Sequence, residues 1–576
     1  MSAGTVKVIA AFARIPRRMI PHGARKNKLP RNRAQGRAAL LLLLAAAWPA
    51  GCNKITHQEG GAFSDLVEEW MGGPLPAYTP LSAAEIQTIL GQAVEQETAE
   101  GSAAVVAVVD REGFVLGVFG MTGAPLGPGF PVPATLPPDG VPGINAAIAK
   151  ARTAAFLSSN QNAFTSRTAG YIVDTHFPPG VLFTPAGPLF GVQNSTLTGS
   201  DVIRGVGAGG LPISNNPTPL PDPNGLSGQP GALPLYKGGF LVGAVGVSGS
   251  GADRDEKSAV AGTRGFMAPA GIRADQILID GIRLAFVSTA GPFVRASLPF
   301  ASLPGSVVDR VTQLALPPSS ILDAGPPPAI PLVTLGGVTG QLVFPIVPGL
   351  ALSSSEVTTI LSQAAELMNR LRAAIRMPLG SRAQTTITVV DTAGNILGAF
   401  RPADNTRFSL DVAVQKARTA VVFSDGISTA ALGEPVTGLP PNAAVTTRAV
   451  GWMSQPSYPP GIDGTPPGPL FGVQLALPGG LGAGIPGLDI TPGSLIDAVN
   501  GDGITLFPGG VPLYKGGVLV GGIGVSGDGV DQDDMVAATG ATGFEPPAAL
   551  RCDNFTVQGA QLPYVKFPRN PFDGVP

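Results

Sequence analysis

Histidine and cysteine are nearly missing from this chain, with three of the first and two of the second among 576 residues. Structural zinc therefore has no ligand set. Charge is scarce as well: Asp, Glu, Lys and Arg make up 13% of the chain, about half the quarter usual for soluble domains. What charge there is lies unevenly. Residues 1–51 hold ten Lys or Arg and no acid, so that beyond Cys52 the balance is 27 basic against 39 acidic, a net charge of −12. A body this acidic has no electrostatic footprint for nucleic acid. There is no P-loop, and the glycines at 243, 246 and 249 have the wrong spacing for a dinucleotide fingerprint. Ser248 lies between Gly246 and Ser250, whereas a nucleophile elbow needs glycine two residues after the serine.

What the chain has in abundance is itself, written twice. Lys-Ala-Arg-Thr-Ala at 150–154 recurs at 416–420, and residues 103–120 match 384–401, with Asp110 on Asp391 and Gly113 on Gly394. Thr-Ser-Arg at 165–167 answers Thr-Thr-Arg at 446–448, and Gly-Pro-Leu-Phe-Gly-Val-Gln stands at both 187–193 and 468–474. The run 234–249 repeats almost unchanged at 512–527, and Arg273 and Asp275 face Arg551 and Asp553. Offsets of 281, 266, 281 and 278 between matched residues place an extra loop in each copy, near 121–141 and 425–442. A period above 200 residues is too long for a solenoid and suits tandem globular domains. Residue types kept by both copies are the ones to weigh for function.

The basic stretch at the start leads into an apolar run at 38–48 and then Pro49, Ala50, Gly51 and Cys52. Eleven apolar residues are too few to span a bilayer as a helix, so the run reads as the core of an export signal. It resembles a bacterial lipoprotein signal in which Cys52 is acylated, although Pro49 stands where leucine is usual. The expected organisation is a signal at 1–52, a tether at 53–79, one domain at 80–292, a linker at 293–349 and a second domain at 350–576. The resulting expectation is an exported protein, in the periplasm or at the outer membrane as a lipoprotein acylated on Cys52, or else secreted.

Within each copy the pattern predicts helix, hairpin, helix, long loop, hairpin, helix: an α+β fold with a mainly antiparallel sheet flanked by helices. Ser82 with Glu85, and Ser353 with Glu356, have capping-box spacing. Alanines at 147, 151 and 154, and at 413, 417 and 420, would let the central helix lie close on a sheet. Long ordered loops are expected from 79 glycines and 59 prolines interleaved with strand-like runs. The linker reading of 293–349 admits a short hairpin at 336–345.

The Val-Val-Asp-x-x-Gly hairpin, the Lys-Ala-x-Thr-Ala helix and the Pro-Leu-x-x-x-Gly-x-x-Val-Gly-x-x-Gly-Val-Ser-Gly hairpin followed by Asp255 or Asp533 resemble the GlcG/HbpS family, which includes the C-terminal domain of PduO-type proteins. All three occur twice and in family order. The resemblance implies a helix-flanked antiparallel sheet, frequent oligomers, and haem binding in some members. Haem iron needs an axial His, Met, Cys or Tyr. Of the histidines, His22 and His57 precede the domains, and His176 lies opposite Ser457, so none is shared. Candidate ligand-binding residues are Arg167, His176, Tyr236, Arg448 and Tyr514. The arginines suit a carboxylate such as a propionate, or a structural ion pair to Asp110 or Asp391; the tyrosines suit ligation or packing beside a turn. Asp253, Asp255, Asp531 and Asp533 could offer oxygens to a divalent cation, or cap a helix N-terminus. Three readings stand: a non-catalytic binder of haem or another small anionic ligand, an enzyme with the long loops as a lid, and a structural pseudo-dimer able to form homo-oligomers.

Overall fold

The computed structural model describes residues 79–127, 143–196, 200, 225–295, 297–325, 330–426, 436–476 and 502–566. All of these belong to one compact unit, 61–576. The signal, Cys52, His22, His57 and nearly all of the tether lie outside the described residues, as do parts of both extra loops.

Each copy opens on a capped helix, α1 (Ala83–Ala99) and α5 (Ser354–Met368), and both capping boxes form as the spacing predicts. The first copy continues with β1 (Val105–Asp110), β2 (Val115–Met121), α2 (Gly143–Phe156), α3 (Ser166–Ile172), β3 (Ala232–Lys237), β4 (Phe240–Ser248) and α4 (Ala252–Gly262). The second repeats it as β11 (Thr386–Asp391), β12 (Ile396–Pro402), α6 (Phe408–Ser424), α7 (Thr447–Met453), α8 (Phe471–Ala476), β13 (Gly510–Lys515), β14 (Val518–Ser526) and α9 (Val530–Gly540). Short ribbons follow each copy, β5 (Leu278–Ile279) with β6 (Ile282–Arg283), and β15 (Thr556–Val557) with β16 (Ala560–Gln561).

The stretch expected to be a linker does more than connect. It supplies β7 (Gly305–Val308), β8 (Ala315–Leu316), β9 (Leu332–Leu335) and β10 (Val338–Phe344). The first sheet runs β3-β4-β1-β2-β7-β8 and the second β13-β14-β11-β12-β10-β9, every pairing antiparallel. Val307 opposite Phe119 and Leu342 opposite Phe400 explain the docking: each sheet edge beyond the first hairpin would otherwise leave backbone and apolar side chains uncovered. A hairpin does form near 336–345, but it starts earlier, pairing 332–335 with 338–344 about Gly336 and Gly337, and it belongs to the second sheet.

The alanines of the central helices act as expected. A Cβ on Gly246 would come within 2.6 Å of the Ala151 amide, and one on Gly524 equally close to that of Ala417, so glycine on the strand and alanine on the helix are both required by the approach. Asp110 and Asp391 close their hairpins by accepting backbone N–H groups, from Phe114 and from Ala393 and Asn395.

The copies share core. Ile375, Phe408, Val412 and Phe507 of the second copy are buried in the cluster built by the first, and Phe114 of the first joins Val343, Phe344, Leu410 and Val414. At the centre of the contact Arg376, wholly buried, holds Asp528 at 2.7 Å, Asp404 at 2.8 Å and the Ser159 hydroxyl of the first copy at 3.0 Å. Asp404 in turn accepts the Asn160 amide at 2.9 Å.

Candidate functional site

A cavity of about 600 Å³ lies between the copies. From the first copy come Leu157, Phe164, Ile172, Phe177, Leu189 and Ile279; from the second come Arg372, Ile375, Phe408, Arg448, the first turn of α9 with Asp531 and Asp533, and Lys566. Apolar side chains thus come from both copies, and all of the charged ones but Asp280 come from the second. The volume is in the range of small-molecule sites.

Local sequence explains each wall. The apolar side chains come from the end of α2, from α3, and from the loop after it, whose Phe177-Pro178 peptide is cis like that of Tyr458-Pro459. Part of the second copy's lining comes from a segment the first copy lacks: Ser82 and Ser353 are 271 positions apart, whereas Ala103 and Gln384 are 281 apart. The extra residues fall between α5 and β11 and bring in Arg372, Ala374 and Ile375.

Of the sequence candidates, Arg448, Asp531 and Asp533 reach this cavity. Arg448 holds Asp534 at 2.5 Å and Asp531 at 2.9 Å, and Lys566 also pairs with Asp531. Asp533 is 3% exposed and its Oδ2 meets Lys416 at 2.8 Å. Burial pushes its carboxyl up to about 6, opposed by Lys416.

The remaining candidates go elsewhere. Arg167 forms a two-pronged pair with Glu256, at 2.6 and 3.2 Å, rather than meeting Asp110. The Arg448 pair likewise lies with Asp534 rather than Asp391. Tyr236 is buried and its hydroxyl donates to the Ser159 and Asn162 carbonyls at 2.7 and 2.9 Å, tying β3 to the end of α2. Tyr514 is buried, its ionisation pushed up to about 12 by burial. His176 lines a smaller hollow, where its Nε2 meets Asp463 at 3.0 Å and links the Pro-Pro-Gly loops of the two copies. Arg167, Tyr236 and Asp255 do not line the cavity.

The cation reading of the acidic groups is not what the side chains form. Asp253 is almost fully exposed, Asp255 is bound to Lys150 at 2.9 Å, and Asp531 and Asp533 are taken by Arg448, Lys566 and Lys416. Among the described residues no three His, Cys, Asp or Glu are placed to hold a metal ion.

Sequence reasoning missed the role of the repeated lysine. Lys150 and Lys416 are buried under their helices, each bridging the aspartate of the last helix and a carbonyl of the last strand, Val247 O at 3.2 Å and Val525 O at 2.7 Å. The repeated pairing of one lysine with one aspartate in a charge-poor chain was the available signal. The turn lysines are also structural, Lys237 and Lys515 each reaching the capping-box glutamate at 2.8 Å.

The family described as "Haem degrading protein HbpS-like" matches residues 139–264 and again 360–542, just over half of the chain and one match per copy. The chain belongs to the HbpS-like family. No curated protein matches it. Solved structures similar to this HbpS-like chain include a PduOC:haem complex, at 21% identity over 34% of this chain and 94% of the other, TM-score 0.22. Klebsiella pneumoniae ORFY matches at 19% identity over 33% and 86%, TM-score 0.21. A double mutant of Streptomyces reticuli HbpS matches at 22% identity over 38% and 97%, TM-score 0.19.

Tested against haem, the cavity fits in part. Phe164, Phe177, Phe408 and Ile375 suit the face of a macrocycle, and Arg372 suits an acid group, Arg448 and Lys566 being already paired with Asp531 and Asp534. The iron fits less well, because the described lining contains no His, Met, Cys or Tyr.

Proposed function

We propose that this HbpS-like chain is a non-catalytic binding protein that holds one amphipathic small molecule, of tetrapyrrole size, in the cavity between its two copies. The observation that carries the reading is the cavity itself: apolar side chains from both copies facing a charged cluster from the second, with part of the lining drawn from a segment unique to the second copy. Family membership makes haem the first ligand to try, and a haem in this cavity would be held by its ring and propionates. The reading further takes the chain to be exported and anchored through Cys52, as its basic start and short apolar run suggest.

The test is a titration of the full chain with haemin and with iron-free protoporphyrin IX, followed by Soret absorbance and intrinsic fluorescence quenching. Both should bind at micromolar concentration with affinities within about threefold, and Ile375→Trp, which fills the cavity, should weaken both. Absence of binding by either, or binding untouched by Ile375→Trp, would overturn the reading.

A further inference from the structure

The two copies treat the same aspartate differently. In the first, Asp255 is fully satisfied: Oδ2 takes Lys150 at 2.9 Å, and Oδ1 takes the Ser250 amide at 3.0 Å and its hydroxyl at 2.8 Å. In the second, Asp533 Oδ2 takes Lys416 at 2.8 Å, but Oδ1 has no hydrogen-bond partner although the residue is 3% exposed. The hydroxyl donor is lost at one position. Where the first copy has Ser250 the second has Asp528, a carboxylate that cannot donate, and it turns instead to Arg376 at 2.7 and 2.9 Å. Asp533 lines the cavity, and its sister Asp255 does not.

A buried acceptor without a donor costs about 1–3 kcal/mol, which a donor arriving through the cavity recovers. Two cations of the same wall offer no such opening, since Arg448 is held by Asp534 and Asp531, and Lys566 by Asp531; Arg372 is the third cation of the lining. An anion entering at Arg448 or Lys566 must break existing pairs, whereas a donor entering at Asp533 meets a vacant acceptor.

We propose that the cavity selects ligands with an apolar body and a cationic or N–H-donating head, and that Asp533 Oδ1 receives that head. Phe164, Phe177 and Phe408 then cover the body. The site occurs once per chain, because Ser250 fills the equivalent place in the first copy. The inference rests on the cavity being a ligand site and adds which end chemistry it prefers.

The test compares three probes of one length, decylammonium, decanoate and decanol, by calorimetric titration of the full chain. Decylammonium should bind at least about tenfold more tightly than decanoate, the worth of one charge-assisted hydrogen bond. Asp533→Asn, which presents an amide N–H where the carboxylate oxygen was, should remove or reverse that preference; Ile375→Trp should weaken decylammonium. If Asp533→Asn does not fold, the wild-type comparison and Ile375→Trp still decide. Decanoate equal to or tighter than decylammonium overturns the head assignment alone, as does decylammonium binding that Ile375→Trp leaves unchanged while porphyrin binding falls. Failure of all three probes, together with failure of both porphyrins, overturns the cavity reading as well.

Discussion

Replacing the repeated lysine by methionine should cost the two copies different amounts. Lys150 and Lys416 are 2% and 0% exposed at the side chain, and each is the only cation paired to its aspartate among the described residues. Stripping one partner from a buried ion pair costs about 3–5 kcal/mol, because the other charge is left in a poor solvent. After Lys150→Met, Asp255 keeps two donors from Ser250, so the loss should fall near the lower figure. After Lys416→Met, Asp533 has an unpartnered Oδ1 already and loses its lysine, with no serine hydroxyl to offset the loss, and the ammonium contact over the Phe507 ring at 5.0 Å goes too; the loss should approach the upper figure. The pH dependence has a definite sign. Burial already raises the Asp533 carboxyl to about 6, and without Lys416 it rises further. A carboxyl with a folded value above its unfolded one weakens the fold at high pH, and that penalty fades as pH falls through the folded value. The Lys416→Met deficit should therefore shrink between pH 8 and pH 5. Urea unfolding followed by tryptophan fluorescence at those two pH values reads both effects. Equal losses in the two variants, or a Lys416→Met deficit that grows on acidification, would refute the reasoning.

Arg376→Met leaves Asp404 and Asp528 buried without their shared cation, and should lower stability by about 3–5 kcal/mol in the same unfolding assay; a loss below about 1 kcal/mol would contradict the network's role. Asp110 is buried and its carboxyl is raised from 3.8 to about 7, mainly by that burial, so the penalty for ionising it reaches up to ~4 kcal/mol at high pH. Asp110→Asn should accordingly raise stability at pH 8 while changing little near pH 4, and a variant less stable at pH 8 contradicts it. His176→Ala should leave the haemin titration unchanged, because His176 lines a different hollow and is bound to Asp463; a lost Soret band would place the iron at His176.

Much of the fold was legible because the chain repeats. Ser82 and Ser353 announced their capping boxes, and the small-residue helices announced close packing on glycine-bearing strands. The edge strands in 293–349 were harder, since Gly305, Ser306, Val307 and Val308 are too short a run to show alternation, and their pairing with β2 depends on an edge that local sequence does not describe. The candidate site was legible only in part. Arg448, Asp531 and Asp533 were found through their repetition, but so were Arg167, Tyr236 and Asp255, which serve packing. What separates them is asymmetry: Asp528 against Ser250, and the additional residues before β11. Function sought in what the copies share is here built from what they do not, and the apolar wall arises from contacts between distant parts of the chain.

Native mass spectrometry of the full chain with excess iron-free protoporphyrin IX, run beside Ile375→Trp, tests the central claim most directly. One porphyrin per chain, lost in the variant, is the result expected of a single cavity shared by both copies. Two per chain, or one that the variant retains, would mean that each HbpS-like copy binds by itself and that the space between them is not the site.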